Sequence, residues 1–275
     1  MPKHPTIYLA SSSPRRNVLM QMGGWNYSVL PADVDETILP DEEPSAYVLR
    51  LAMAKAKEVA NQLNLYLSFY SNDAIGGAEI DRAVPPIYIL AADTTVVDGK
   101  EILGKPIDEA EAVCMLSRLR SRIHQVYTAL ALARIEKKTE TKRSKSGEGS
   151  LTILTSMCTT DVVMRNYSDD EITGYVASGD ALDKAGAYAI QSQYFNPVKC
   201  IRGCYTNVMG LPLCHVSQIF RDIGVHPALD EEQILSGCRQ ITSEDFLDVE
   251  GCHEIWANQK GETTSLAPSM SFSIP

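Results

Sequence analysis

Ile87-Tyr-Ile-Leu-Ala-Ala-Asp93 places six consecutive apolar residues before a single carboxylate. A run of that length without polar alternation suits a strand covered on both faces, since a strand with one wet face carries a polar residue at every second position. Two covered faces require helices above and below, and the flanking sequence supplies them. Upstream, Thr6-Ile-Tyr-Leu-Ala10 reads as a second short buried strand leading through Ser11-Ser-Ser13 into a helix from Pro14 to about Met22. Ser13 is a good N-cap, Pro14 suits the first helical position, and Gly23-Gly24 stops the helix. A longer helix is predicted over Pro44–Leu63. Residues 64–86 show no strong periodicity and contain Gly76-Gly77 and Pro85-Pro86, the composition of an irregular surface insertion.

Downstream, Thr94 to Leu103 reads as a hairpin turning at Asp98-Gly99. Asp108 with Glu111 opens a helix to about Ser121. His124–Ile135 and Leu151–Arg165 have strand character, and the polar, charged stretch Lys137–Ser150 lies between them. Ser168 with Glu171 begins a short helix ending near Gly179. Pro212–Ile223 carries Leu213, Val216, Phe220 and Ile223 on one helical face, with Gly224 as its stop. The last fifty or so residues lack sustained periodicity, and Ser265–Pro275 has the composition of a disordered end. Strands alternate with helices and no internal repeat intervenes, so the expected class is α/β.

A chain of 275 residues, 44% hydrophobic, can bury a large core as one domain or two lobes. It contains no apolar run long enough for a membrane span, and Met1–Pro5 lacks a signal-peptide pattern. The seven scattered cysteines (114, 158, 200, 204, 214, 238, 252) suit reduced thiols in the cytoplasm better than a disulfide framework. A net charge of −10 argues against a nucleic-acid backbone as partner, whereas a small anion needs only a local positive pocket.

Ser11–Arg16 could form that pocket. A strand, a serine turn and a helix start expose backbone N–H groups, and two arginines in the first turn oppose the helix dipole until an anion binds. The alternative is an ordinary cap with solvated arginines. Asp93 stands where ligands bind in open α/β sheets, beyond the carboxyl end of a strand, and could hold a metal or accept a proton from water; it could equally cap the next turn. Glu36, within Asp33-Val-Asp-Glu-Thr37, offers oxygen to a hard cation or is one of several solvated acids. Lys55 falls on the apolar stripe of Val48, Leu51, Ala52 and Val59, so it either meets a buried anion or extends its head to water. Lys105 follows the hairpin in Gly104-Lys-Pro106. In Asp183-Lys-Ala-Gly-Ala-Tyr-Ala-Ile-Gln191, the Gln191 amide could read a base edge, or the segment is a turn into a strand. Cys200, Cys204, Cys214 and His215 have poor zinc spacing and read as reduced core residues.

The order of these segments is more distinctive than any one of them. Ser11-Ser-Ser-Pro-Arg-Arg16, Val34-Asp-Glu-Thr37, Ala92-Asp-Thr94, Gly104-Lys-Pro106, Val126-Tyr-Thr128, Asp183–Tyr188 with Ile190-Gln191, and Val208-Met-Gly-Leu-Pro212 together resemble the Maf family over about residues 5–224. That family comprises nucleoside-triphosphate pyrophosphatases related in fold to inosine-triphosphate pyrophosphatases. The resemblance implies an elongated two-lobed α/β fold around a long twisted mixed sheet with a central cleft. It implies hydrolysis of a triphosphate to monophosphate and pyrophosphate, aided by Mg²⁺ or Mn²⁺. Asp93 matches the catalytic aspartate, with Lys55 and Lys105 beside it and Glu36 as a second metal ligand. Ser11, Arg15, Arg16, Thr94 and Gln191 match substrate-binding positions, and the Asp183–Gln191 form resembles the dTTP/UTP subgroup. A cytoplasmic enzyme is the expectation, and the resemblance adds a homodimer. The insertions at about 64–86 and 136–150, and the extension 225–275, have no counterpart in the compact bacterial pattern. A nucleotide-binding regulator without turnover, a metal-dependent phosphatase of another class, and a nucleic-acid-binding module are the competing readings; overall acidity counts against the last.

Overall fold

The apolar run forms the middle of a mixed sheet in the computed structural model, which describes residues 6–72, 86–136, 150–225, 229, 232–234, 236–238, 248–250 and 272–273. Among them the strands are β1 (Thr6–Leu9), β2 (Ser28–Val29), β3 (Ile87–Asp98), β4 (Glu101–Leu103), β5 (Ile123–Glu136), β6 (Ser150–Met164), β7 (Val198–Arg202), β8 (Asp248–Glu250) and β9 (Phe272–Ser273). The helices are α1 (Pro14–Met22), α2 (Pro44–Asn72), α3 (Glu109–Leu119), α4 (Asp169–Ala177), α5 (Tyr205–Val208) and α6 (Leu213–Arg221), with a 3-10 turn at Ala185–Ala187. The sheet order is β2-β1-β3-β5-β6-β7-β8, with β4 beside β3 and β9 beside β6. Parallel pairs at both ends flank an antiparallel centre, and the sheet curls into a half-barrel.

Period-two alternation along β3 and β5 divides the interior into two cores. Leu90, Ala92, Leu130 and Leu132 face one cluster, filled by Leu19 and Met20 of α1, Leu116 of α3 and Phe220 of α6. Ile89, Ala91, Ala129, Ala131 and Ala133 face the other, beneath α2. Small residues meet small ones there, since α2 turns Ala52, Ala56 and Ala60 inward, and the helix can lie close against the sheet.

Several elements match their sequence-based boundaries within a residue or two. Ser13 caps α1, Asp108 caps α3, and Ser168 with Glu171 forms a complete capping box on α4. One correction concerns the first insertion: α2 continues to Asn72, nine residues past the predicted end. Asn64–Asn72 contains neither Gly nor Pro, so nothing halts the helix. Residues 73–85 and 137–149, which hold the rest of the two insertions, lie outside the described residues.

The extension after Gly224 adds to the fold without any periodic signal. Val225, Ile234 and Cys238 join the larger core, and β8 pairs in parallel with β7. Phe272–Ser273 belong to the segment expected to be disordered, yet they pair with Ser150 and Leu151. The short β7 covers only the Asp161–Met164 end of β6, which leaves that edge open at its beginning. The remainder of 265–275 lies outside the described residues. No helix among the described residues is long and apolar enough to cross a membrane.

The close seat of α2 gives a direct test. Ala131→Leu should destabilise the protein by about 1–3 kcal/mol through overpacking, read as a lower urea midpoint with an unchanged slope.

Candidate active site

β1 is much shorter than its neighbour. It pairs with β3 from Ile87 to Leu90 and ends at Leu9, and the Ala10 N–H donates to the Leu90 carbonyl at 2.8 Å. β4 takes up the same edge of β3 only at Val96, because the other edge is occupied by β5 throughout. Ala91–Thr95 therefore have no strand partner on this side among the described residues, and the edge forms a notch at the carboxyl end of β1. Asp93 faces the α2 side of the sheet and Thr94 the opposite side, so the notch carries chemistry on both.

Lys55 resolves the ambiguity of its position on the α2 stripe. Its Nζ lies 2.6 Å from Asp93 Oδ1 and 2.6 Å from Glu36 Oε1. The Asp93 side chain is 9% exposed and that of Lys55 12%, whereas Glu36 is 45% exposed and opens the cluster to solvent. Burial dominates at Asp93 and raises its carboxyl above the ordinary value despite the attraction of Lys55 and Arg16. Burial also opposes the charge of Glu36, but the hydrogen bond and charge of Lys55, with Lys105 and Arg16, outweigh it and hold that carboxyl below its ordinary value. The two acids on one ammonium are thus shifted in opposite directions, and the buried one holds a proton more tightly than an ordinary aspartate does. Tyr47 closes the site from α2, its hydroxyl donating to the Glu36 carbonyl at 3.0 Å. Burial, Asp93 and Glu36 push that hydroxyl up to about 12.

Across the edge, Arg16 donates from Nε to the Gly210 carbonyl at 2.8 Å, from Nη2 to Thr94 Oγ1 at 3.0 Å and from Nη1 to Ser11 Oγ at 3.4 Å. The Ser11 hydroxyl also accepts the Ser13 N–H at 3.1 Å. Arg15 acts electrostatically on both Arg16 and Asp180. Lys105 is exposed and near enough to Glu36 to influence it.

Gln191 stands apart, exposed on the turn after Ala185–Ala187. That turn is anchored beside Lys105, since the Gly186 N–H donates to the Gly104 carbonyl at 3.0 Å. Gly186 has φ +68°, and a Cβ there would come within 3.0 Å of Val96. Tyr188 fixes the next step through a 2.7 Å contact between its hydroxyl and His124 Nε2. Burial lowers that imidazole to about 4, so it is neutral at pH 7.

Ser11, Arg16, Glu36, Lys55, Asp93 and Thr94 are therefore in mutual contact or one residue removed from it, Arg15 and Lys105 lie within electrostatic range, and Gln191 sits on a separate turn. Sequence reasoning gave no role to Tyr47, Thr128, Asn207 or Gly210. Thr128 and Gly210 lie within quoted motifs, but only folding brings Gly210 to Arg16.

No group of three or more His, Cys, Asp or Glu side chains suited to a metal occurs among the described residues. Glu36 and Asp93 nevertheless each place an oxygen 2.6 Å from one point, Lys55 Nζ. The ammonium fills that point, but the donors are the hard carboxylate oxygens that Mg²⁺ takes, commonly one or two from the protein with water and substrate phosphate completing the shell.

The family model for Maf-like proteins matches residues 6–223. The chain belongs to the Maf family. A relative from Agathobacter rectalis named dTTP/UTP pyrophosphatase is 39% identical over 221 residues, 80% of this chain and 98% of that protein. Relatives of the same name from a Geobacter species and from Pasteurella multocida are 38% and 36% identical, over 81% and 80% of this chain and 97% and 96% of theirs. The Maf match ends at Ile223, so the core residues Val225, Ile234 and Cys238 and strands β8 and β9 lie beyond it.

The raised carboxyl of Asp93 has a thermodynamic consequence. A group whose folded value is raised contributes stability below its unfolded value, and this is lost as pH rises through the folded value. Asp93→Asn removes that loss. Its melting temperature should lie below the native one, because the Lys55 ammonium keeps only Glu36, by a margin that narrows as pH rises through the Asp93 range, as measured by calorimetry across a pH series.

Proposed function

We propose that this chain hydrolyses nucleoside triphosphates, dTTP and UTP foremost, to the monophosphate and pyrophosphate at the notch beside Asp93. The observation that carries the reading is the convergence of Asp93 and Glu36 on Lys55, beside Arg16 on an unpaired strand edge. The names of the bacterial relatives support the substrate class.

Hydrolysis of a phosphoric anhydride depends mainly on positioning and on stabilising spread negative charge. Arg16, the Ser11 turn and the exposed Lys105 would hold the triphosphate oxygens. Asp93, with its raised affinity for a proton, would accept one from water as the water oxygen attacks the α-phosphorus and the bond to the bridging oxygen breaks. Lys55 holds Asp93 in place while its charge limits how far burial can raise that carboxyl. Glu36 and Asp93 would hold a divalent ion, Mg²⁺ or Mn²⁺, which would supply further charge neutralisation to the phosphates. Arg15 and Gln191 would serve the base end, where the Gln191 amide offers the donor and acceptor that a uracil or thymine edge requires. Thr94 would contribute through Arg16, which it already binds.

Incubation with dTTP or UTP and Mg²⁺ should yield monophosphate and pyrophosphate in equal amounts. Orthophosphate alone would indicate a different phosphatase, and tight nucleotide binding without turnover would indicate a regulator. Asp93→Asn should reduce kcat by at least about 10²-fold, the scale expected for loss of general-base catalysis, without loss of folded structure by circular dichroism.

A further inference from the structure

Behind Arg16 the structure holds a closed ring of hydrogen bonds that no residue of the notch explains. Thr94 and Thr128 face each other across β3 and β5, their hydroxyls 2.9 Å apart. Thr128 Oγ1 is 3.0 Å from the Asn207 carbonyl. That carbonyl can only accept, so Thr128 donates to it and, having one hydrogen, accepts from Thr94. Thr94 in turn accepts from Arg16 Nη2 at 3.0 Å. The opposite polarity would send the Thr94 hydrogen to the Gly210 carbonyl at 3.5 Å and leave the contact between Thr128 and Asn207 without a proton.

The ring returns through the main chain. The Gly210 N–H donates to the Asn207 carbonyl at 2.9 Å, and the Gly210 carbonyl accepts Arg16 Nε at 2.8 Å. Gly210 has φ +109°, a conformation only glycine adopts readily. Asn207 itself is fully buried, and its Nδ2 donates to the Val126 carbonyl and to Thr160 Oγ1, both at 2.9 Å. Its position is therefore set by β5 and β6.

We propose that Thr128 and Asn207 are positioning residues of the phosphate site. They fix two edges of the Arg16 guanidinium, so that one N–H on each terminal nitrogen stays available to an anion. This rests on the reading that the notch takes a triphosphate. It assigns to that site two residues that touch no substrate and lie 112 and 191 positions from Arg16 along the chain.

Inorganic tripolyphosphate tests the ring separately from the base and from turnover. Calorimetric titration with Mg²⁺ and tripolyphosphate is compared among the native protein, Thr128→Val and Thr128→Ser, alongside kcat and KM for UTP and dTTP. Thr128→Val should weaken tripolyphosphate binding and raise both KM values by about the same factor, roughly fivefold for the loss of one neutral hydrogen bond that orients Thr94. The UTP-to-dTTP preference should be unchanged, and Thr128→Ser, which keeps the hydroxyl, should restore affinity. Native-like tripolyphosphate affinity in Thr128→Val would overturn the proposal. Equal weakening in the valine and serine variants would overturn it in favour of side-chain fit, and an effect on nucleotides alone would place Thr128 at the base end. A native protein that does not bind tripolyphosphate would remove the anion site itself. One that binds it but releases no pyrophosphate would refute only hydrolysis, and the variants would still report on the ring.

Discussion

Asp93 and Lys55 are each unfavourable without the other. A carboxylate in the centre of a sheet loses hydration that no apolar neighbour replaces, and an ammonium on the inner stripe of α2 faces the same cost. Joined at 2.6 Å, with Glu36 as a third member reaching solvent, they form a buried charge cluster that remains reachable. This constrains the whole lower half of the fold. α2 must lie close enough for the Lys55 ammonium to meet a side chain of β3, and the alanine layer of Ala91, Ala129, Ala131 and Ala133 permits that approach.

Much of this was legible as misplacement. A lysine on an apolar helical stripe and an aspartate closing an apolar strand are each locally unfavourable, and both are explained by one contact. Helix caps at Ser13, Asp108 and Ser168 were equally readable, because a cap satisfies N–H groups only two or three residues away. The notch was not readable. It arises because β1 ends four pairs into β3 and β4 begins at Val96, a property of register between segments about eighty residues apart. The continuation of α2 past Leu63 is hidden for the opposite reason: periodicity is weak there, although Asn64–Asn72 holds no helix-breaking residue.

The second half of the site depends on contacts that no local pattern encodes. Arg16 reaches the Gly210 carbonyl across 194 positions, and Thr94 reaches Thr128 through strand pairing. Asn207 is the kind of buried polar residue that local reading assigns to nothing, because its hydrogen-bond partners lie on β5, β6 and its own following turn. The extension after Gly224 belongs to the same category. It has no periodicity, yet it supplies Ile234 and Cys238 to the core that surrounds α6, since an open sheet edge and an uncovered apolar face accept whatever chain can reach them.

The two faces of β3 divide the labour of the site. The Asp93 face is charged and compact, and its geometry is set by one ammonium between two acids. The Thr94 face is neutral behind the guanidinium, and its geometry is set by hydroxyls and carbonyls that cannot change charge near neutral pH. A substrate anion entering the notch would therefore shift proton occupancy on one side only. Arg16 would keep its orientation while the cluster around Lys55 responds. A pairing strand along Ala91–Thr95 would abolish this division by closing the edge that both faces share, so the shortness of β1 is a requirement of the site.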